Sequence, residues 1–282
     1  MKLIDTHSHI NFNQFKEDAD QVVRRSLRSD TEMIVVGAEH RTSKRGLEYA
    51  NKYEKGVYSA VGLHPLHLQS MTAQENREGV SFQTAGEEFN YDNYVKLANF
   101  DKVVAIGEVG LDYYHFNLSD NLEKIKKKQK EVFIKQLLLA CEMELPAIIH
   151  CRVAHLDMLN LLKEFKQKYA RFIPADRPWA VMHCFSGDED LAWEYFNLGL
   201  MISFTGLITF SKQWDDLIRK MPSDKFMVET DCPFMTPEPY RGQRNEPVLV
   251  KYVAQRIAEI RKTDLEKVAD ITTQNARAFF EI

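Results

Sequence analysis

"LIDTHSHINFNQFKEDADQVVRRSLRSDTEMIVVGA", Leu3 to Ala38, decides how the rest of the chain is read. A short β-branched run at 3–9 gives way to an amphipathic stretch, "FKEDADQVVRRSLRS", and a second β-branched run follows at 33–38. Strand, helix, strand at this spacing is one turn of a parallel α/β unit. The rhythm continues outward: further strands are predicted over 57–63, 103–108, 146–151, 179–184, 200–205 and 226–231. Helices fit "TSKRGLEYANKY", "EKIKKKQKEVFIKQLLLACEM", "HLDMLNLLKEFKQKY" and "EPVLVKYVAQRIAEIRK", with apolar positions recurring at three and four residues. Eight such strands with their helices are the count of a (β/α)8 barrel, and 282 residues fit one barrel domain over 1–282.

One segment breaks the rhythm. Residues 68–93, "LQSMTAQENREGVSFQTAGEEFNYDN", are polar with little periodicity and read as a long loop insertion on the catalytic face.

Composition narrows the function classes. The chain is 44% hydrophobic and 28% charged, as in a globular protein with ample core. The longest apolar runs are too short to span a bilayer and the N-terminus lacks a cleavable apolar stretch, so the expectation is a cytoplasmic protein without membrane contact. Four scattered cysteines without CxxC spacing support neither a disulfide framework nor a zinc ribbon. A net charge of −4 argues against coating nucleic acid through bulk positive charge, although a local basic cleft remains compatible with it. The basic run "KIKKKQK" reads as a solvated helix face, and no feature calls for an obligatory protein partner.

In a barrel of this kind the site forms where the strands end. The predicted strands end in His7 and His9, Glu108, His150, His183 and Asp231. Residues i and i+2 of a strand share a face with Cα atoms about 6.5–7 Å apart, so His7 and His9 project together. Each residue alone has an ordinary structural explanation: His183 a core histidine, Glu108 a salt-bridge partner, Asp231 a helix cap. Together, four imidazoles and two carboxylates would be costly to bury unpaired, and divalent cations satisfy them jointly; two ions match the set better than one. His64 ends the third strand and points to the same mouth as a substrate contact.

The motifs "DTHSHI", "GLHP", "AIGEVGLDYY", "PAIIHCR", "MHCFSGDEDLAWEYFNLGLMISFTGLITF", "VETDCPFMTP" and "PYRGQRNEP" run in order from residue 5 to residue 247. Together they resemble the TatD family of metal-dependent deoxyribonucleases within the amidohydrolase superfamily. The resemblance implies a metallo-dependent hydrolase barrel in which His7 and His9 hold a first ion, Glu108 bridges two ions, and His150 and His183 hold the second. It further implies that Asp231 binds the first ion and takes the proton of the attacking water. Glu229, two residues earlier, shares the strand face of Asp231 and lines the site or orients ligands from behind. Phosphotriesterase-like relatives carry a carboxylated lysine where this chain has Glu108, which favours the TatD branch.

Negative charge gathering on a phosphoryl group needs fixed positive groups, and Arg152 after the fifth strand and Arg241 or Arg244 after the eighth stand in the right loops, where surface salt bridges are the alternative role. Tyr113 and Tyr114 follow the fourth strand, where they can stack a terminal base or equally pack the loop. The mixed nitrogen and oxygen set suits Zn or Mn, while Mg is the ion with which family members generally work. The leading expectation is a 3′→5′ exodeoxyribonuclease acting on single-stranded DNA or 3′ ends. The alternatives are an amidohydrolase-type esterase or deacylase acting on a small molecule or aminoacyl-tRNA, and an inactive metal-dependent binding protein.

Overall fold

The computed structural model describes residues 1–75, 80–116 and 121–282. In chain order its strands are β1 (Leu3–Ser8), β2 (Thr31–Val36), β3 (Val57–Val61), β4 (Ser70–Glu75), β5 (Val80–Ala85), β6 (Val103–Asp112), β7 (Ala147–Arg152), β8 (Ala180–Met182), β9 (Leu200–Phe204) and β10 (Phe226–Val228). The helices are α1 (Ala19–Arg28), α2 (His40–Asn51), α3 (Tyr91–Ala98), α4 (Leu122–Glu142), α5 (His155–Tyr169), α6 (Glu189–Asn197), α7 (Asp215–Lys220), α8 (Val250–Arg261) and α9 (Leu265–Phe280). Eight strands form one parallel sheet in the order β1-β2-β3-β6-β7-β8-β9-β10.

Backbone hydrogen bonds beyond the end of β10 bring that sheet back on itself. Asp231 N donates to His7 O at 2.8 Å, and His9 N donates to Cys232 O at 2.8 Å. The barrel seam is therefore stitched by the residues that carry the predicted ligands. All eight expected barrel strands are present, with different ends.

The barrel interior is layered by the two-residue period of its strands. An apolar cluster takes Ile4, Ile34, Ala60, Ala105, Ile148, Val181, Met201 and Met227 from the eight strands and closes on Ala276, Phe279 and Phe280 of α9. Two residues further along, Ile4 is followed by Thr6, Ile148 by His150, Val181 by His183, Met201 by Ser203 and Met227 by Glu229. One end of the barrel is consequently a packed apolar floor, and the other is a buried polar ring.

Several expected boundaries move. The strand expected over 103–108 continues to Asp112, because β6 absorbs an irregularity: Ile106 pairs with Ala147 and Val109 with Ile149, so one extra residue is accommodated at Glu108. Glu108 thus lies inside a strand and not at its tip. The last barrel strand stops at Val228, and Asp231 adopts a left-handed backbone with φ 57°, a conformation that Asp tolerates better than most residues. Asp231 therefore does not continue the strand face of Glu229.

The segment 68–93 is also more ordered than a loop. β4 and β5 pair antiparallel from Ser70↔Ala85 to Glu75↔Val80, and α3 begins at Tyr91. Thr84 Oγ1 accepts from Met71 N at 3.0 Å and donates to Gln69 O at 2.5 Å, which pins the open end of the hairpin. Such cross-strand pairing leaves little trace in local hydrophobic periodicity. Residues 76–79 of that segment lie outside the described residues. Among the described residues, no helix is long and apolar enough to cross a membrane.

Phe279 is 2% exposed and meets Phe280 edge to face at 4.7 Å in the barrel floor. Phe279→Ala is expected to lower unfolding free energy by about 3–5 kcal/mol in urea denaturation, as for other large aromatic deletions from filled cores. A loss below about 1 kcal/mol would contradict a close-packed floor.

Candidate metal centre

The polar ring is assembled by two local irregularities and the seam. On β1, Asp5 pairs with Met33 and Ser8 with Val35, so one extra residue is accommodated beside His7. His7 and His9 converge, Nε2 to Nε2, at 3.1 Å. Behind them Asp5, fully buried, accepts from Thr230 N at 2.7 Å, Thr230 Oγ1 at 2.5 Å and His7 N at 3.3 Å, tying β1 to the turn that carries Asp231.

Glu108 is the hub. Its Oε1 lies 2.8 Å from His150 Nδ1, 2.9 Å from His183 Nε2 and 3.5 Å from His64 Nε2. Its Oε2 lies 3.4 Å from His7 Nε2 and 3.6 Å from His9 Nε2. Asp231 Oδ1 adds a second acceptor 3.4 Å from His9 Nε2 and 3.9 Å from His7 Nε2. Potential donor atoms lie within 4.8 Å of one another in three groups: His7, His9 and Glu108; His7, His183 and Asp231; His64, Glu108 and His150.

The far side of each imidazole shows what its near side offers. His9 Nδ1 stands 2.9 Å from Val36 O, His150 Nε2 3.1 Å from Asp112 Oδ2, and His183 Nδ1 3.1 Å from Glu229 Oε1. Each of those partners only accepts, so these ring nitrogens carry the hydrogen and donate. In the neutral rings, the opposite nitrogens present lone pairs to Glu108 and Asp231, which are themselves acceptors. Lone pairs and carboxylate oxygens at these distances repel unless positive charge lies between them, and a divalent cation or added protons supply it. The residues present therefore fit a bound metal ion. His7 adds a buried Nδ1 with no hydrogen-bond partner among the described residues and stacks on His183 at 3.8 Å.

His64 differs from these three. Its Nδ1 accepts from Leu66 N at 3.1 Å, so Nε2 carries the hydrogen and faces Glu108 as a donor. Burial brings its pKa down to about 4, partly opposed by Glu108, so the ring is neutral at ordinary pH. His64 belongs with Glu108 as a hydrogen-bond donor and offers no lone pair to an ion in this tautomer.

Burial and charge pull in opposite directions on these groups. Burial works to raise the Glu108 carboxyl, but His183, His64 and His7 outweigh it and hold the group well below the usual carboxylate range. Burial likewise opposes the charged form of His150, but Asp112 and Glu108 outweigh it and push that imidazole up to about 9.

The family of TatD related DNases matches residues 4–281. The chain belongs to that family. It is 38% identical over 284 residues to the uncharacterized metal-dependent hydrolase YabD of Bacillus subtilis (strain 168), covering 99% of each chain. It is 30% identical over 288 residues to the 3′-5′ ssDNA/RNA exonuclease TatD of Erwinia tasmaniensis, covering 99% of this chain and 100% of that one. Among solved structures, the TatD homolog YjjV of Escherichia coli K12 superposes with a TM-score of 0.82 at 27% identity, covering 99% of this chain and 98% of that one.

Around the metal centre of this TatD-family chain, the expected substrate contacts separate. Tyr113 is turned into the structure: its hydroxyl donates to Asp157 Oδ2 at 2.8 Å, and Lys126 lies over its ring at 5.1 Å. Its neighbour Tyr114 is 45% exposed with the Arg152 guanidinium 4.0 Å from its ring centre. Of the two tyrosines, Tyr114 is the exposed one. Arg244 donates to both oxygens of Asp18, at 2.9 and 2.6 Å, to Glu246 at 3.1 Å, and lies over Phe15. Its guanidinium fork joins the turn after β10 to the start of α1. Arg241 packs over Phe210 at 4.2 Å and donates to Thr236 O at 3.0 Å.

Two supporting carboxylates differ in how readily the sequence shows them. Glu229 takes Ser203 Oγ at 2.6 Å and Cys184 N at 2.6 Å besides His183. Asp112 is absent from the expected site residues, yet it accepts from His150, His115 Nδ1 at 3.0 Å, and the backbone of Tyr114 and His115 at 2.9 Å each. The one local signal is a second carboxylate, four residues after Glu108, in a strand whose other residues are apolar or glycine.

Removing the charge that orients His150 tests this arrangement. Asp112→Asn is expected to weaken divalent-metal affinity about 10–100-fold in calorimetric titration while the fold persists. Binding must also displace the proton that His150 holds up to about 9, so wild-type affinity should rise with pH toward that value. Pairing calorimetry in buffers of different ionisation enthalpy would detect the released protons; pH-independent binding without proton release would contradict the arrangement.

Proposed function

We propose that this TatD-family chain hydrolyses phosphodiester bonds in nucleic acid as a 3′→5′ exonuclease, acting on single-stranded DNA or 3′ ends with two divalent cations. The observation that carries the reading is the convergence of imidazole lone pairs from His9, His150 and His183 on Glu108 and Asp231. His7, His9 and Asp231 would hold one ion, His150 and His183 the other, and Glu108 would serve both. The mixed nitrogen and oxygen donors suit Zn or Mn, and Mg remains a working ion for such chemistry.

Divalent cations held here supply positive charge that acidifies a water and offsets the charge a phosphodiester gains as water adds to phosphorus. Asp231 is the most accessible of the carboxylates, with its side chain 13% exposed against 5% for Glu108. Burial works to raise its pKa, but His9, His183 and His7 outweigh it and keep the group ionised, so Asp231 can accept the water's proton. That proton then passes to the departing 3′ oxygen as the P–O3′ bond breaks. The products are a 5′-mononucleotide and a chain shorter by one residue with a free 3′ hydroxyl. His64, neutral and donating through Nε2, is placed to steady negative charge beside Glu108. No side chain becomes covalently attached.

The specific substrate is supported by the exonuclease of Erwinia tasmaniensis named above, at 30% identity over nearly the whole chain. A 5′-labelled single-stranded oligonucleotide incubated with Mg or Mn is expected to shorten one nucleotide at a time from its 3′ end. Asp231→Asn should lower kcat about 10²–10⁴-fold. An intact oligonucleotide beside rapid hydrolysis of a small ester would instead favour an esterase or deacylase, and inertness of both proteins on every substrate would favour a binding role.

A further inference from the structure

Beside the metal centre, the mouth carries a second chain of hydrogen bonds that the reaction above does not use. His155, the first residue of α5, has Nδ1 3.0 Å from Tyr195 Oη and Nε2 3.1 Å from Ser186 Oγ. Tyr195 is fully buried on α6, and His155 Nδ1 is its hydroxyl's partner among the described residues. A buried phenol has one proton to donate, so His155 Nδ1 accepts it. The imidazole is then the Nε2–H tautomer and donates in turn to Ser186 Oγ. Burial lowers the His155 pKa, which agrees with a neutral ring in that role.

The direction of this chain decides what Ser186 offers. Its oxygen accepts from His155 and its own proton is directed at Cys151 O, at a long 3.4 Å, a weak contact that a charged phosphate oxygen at this exposed position would displace. Aligned donors polarise one another, which strengthens the last hydroxyl as a donor and argues against an activated nucleophile. Ser186 is exposed, in the loop three residues after His183. On the other side of the β7 end stands the exposed Tyr114 with Arg152 over its ring, and Tyr113 N donates to Arg152 O at 2.9 Å. A hydroxyl donor and a flat cation-backed aromatic face therefore flank one strand end, the pair of groups that a nucleotide's phosphate and base require.

The geometry points to Ser186 as a binding residue for a phosphate of the nucleic-acid strand beyond the scissile bond, with His155 and Tyr195 as positioning residues that occupy its acceptor side and leave its proton to be donated, and Tyr114 as the platform for the adjoining base. The subsite rests on the nuclease reading and extends it to the part of the substrate that does not react.

Steady-state kinetics of the metal-loaded enzyme on a single-stranded oligonucleotide and on bis(p-nitrophenyl) phosphate, a diester with no neighbouring nucleotide, test it. Ser186→Ala is expected to raise KM for the oligonucleotide about tenfold, the worth of one hydrogen bond to a charged oxygen, with kcat within about twofold and the small diester unaffected. Ser186→Thr, which keeps the hydroxyl, should restore most of the KM, and Tyr195→Phe should shift it in the same direction as Ser186→Ala. Unchanged melting temperature of the Ser186 variants excludes misfolding. An unaltered oligonucleotide KM in Ser186→Ala, or equal losses on both substrates, overturns the subsite while the nuclease reading stands. A wild-type enzyme that cleaves the small diester and no oligonucleotide overturns both.

Discussion

A carboxylate buried among imidazole lone pairs cannot stand without positive charge, and the rest of this structure is arranged around that constraint at Glu108. Its two oxygens face His150 and His183 on one side and His7 and His9 on the other, at 2.8 to 3.6 Å. Three of the rings are turned by acceptors behind them, Val36 O, Asp112 and Glu229, so the lone pairs aim inward. The outer acceptors matter as much as the ligands because they choose the tautomer. His64 shows the converse: a backbone donor on its far nitrogen makes it a donor toward the same carboxylate.

The scaffold meets this demand through departures from regularity. A regular parallel strand presents one side chain per two residues to the barrel interior, which is too sparse to bring His7, His9 and Glu108 within about a hydrogen bond's reach. The extra residues in β1 and β6 lift His7 and Glu108 out of the regular register. The seam then contributes Asp231 from outside the sheet, held by its own backbone to His7 and from behind through Thr230 and Asp5. Opposite, the apolar layer under Phe279 and Phe280 fills the barrel.

Legibility followed the range of the interaction involved. Barrel strands were visible because each is a short β-branched run, and the candidate metal ligands because several polar residues fell near predicted strand ends. Asp112 was not, since a carboxylate inside "GLDYY" becomes a site residue only when β7 brings His150 against it. Tyr113 and Tyr114 are adjacent and chemically alike; Asp157 on α5 claims the first and leaves the second exposed. That Arg244 also pairs with Asp18, 226 residues away, is likewise visible only in the fold.

What the sequence determined by itself is the alternation of strand and helix and the inventory of imidazoles and carboxylates near the barrel mouth, because both depend on residue type and near neighbours. The tertiary structure alone decided where β6 and β10 end, that 68–93 contains a hairpin, and which nitrogen of each histidine faces the centre. Those outcomes depend on partners distant in the chain: Val36 for His9, Asp112 for His150, Glu229 for His183. A tautomer is chosen by whatever stands behind the ring, and no local pattern encodes it.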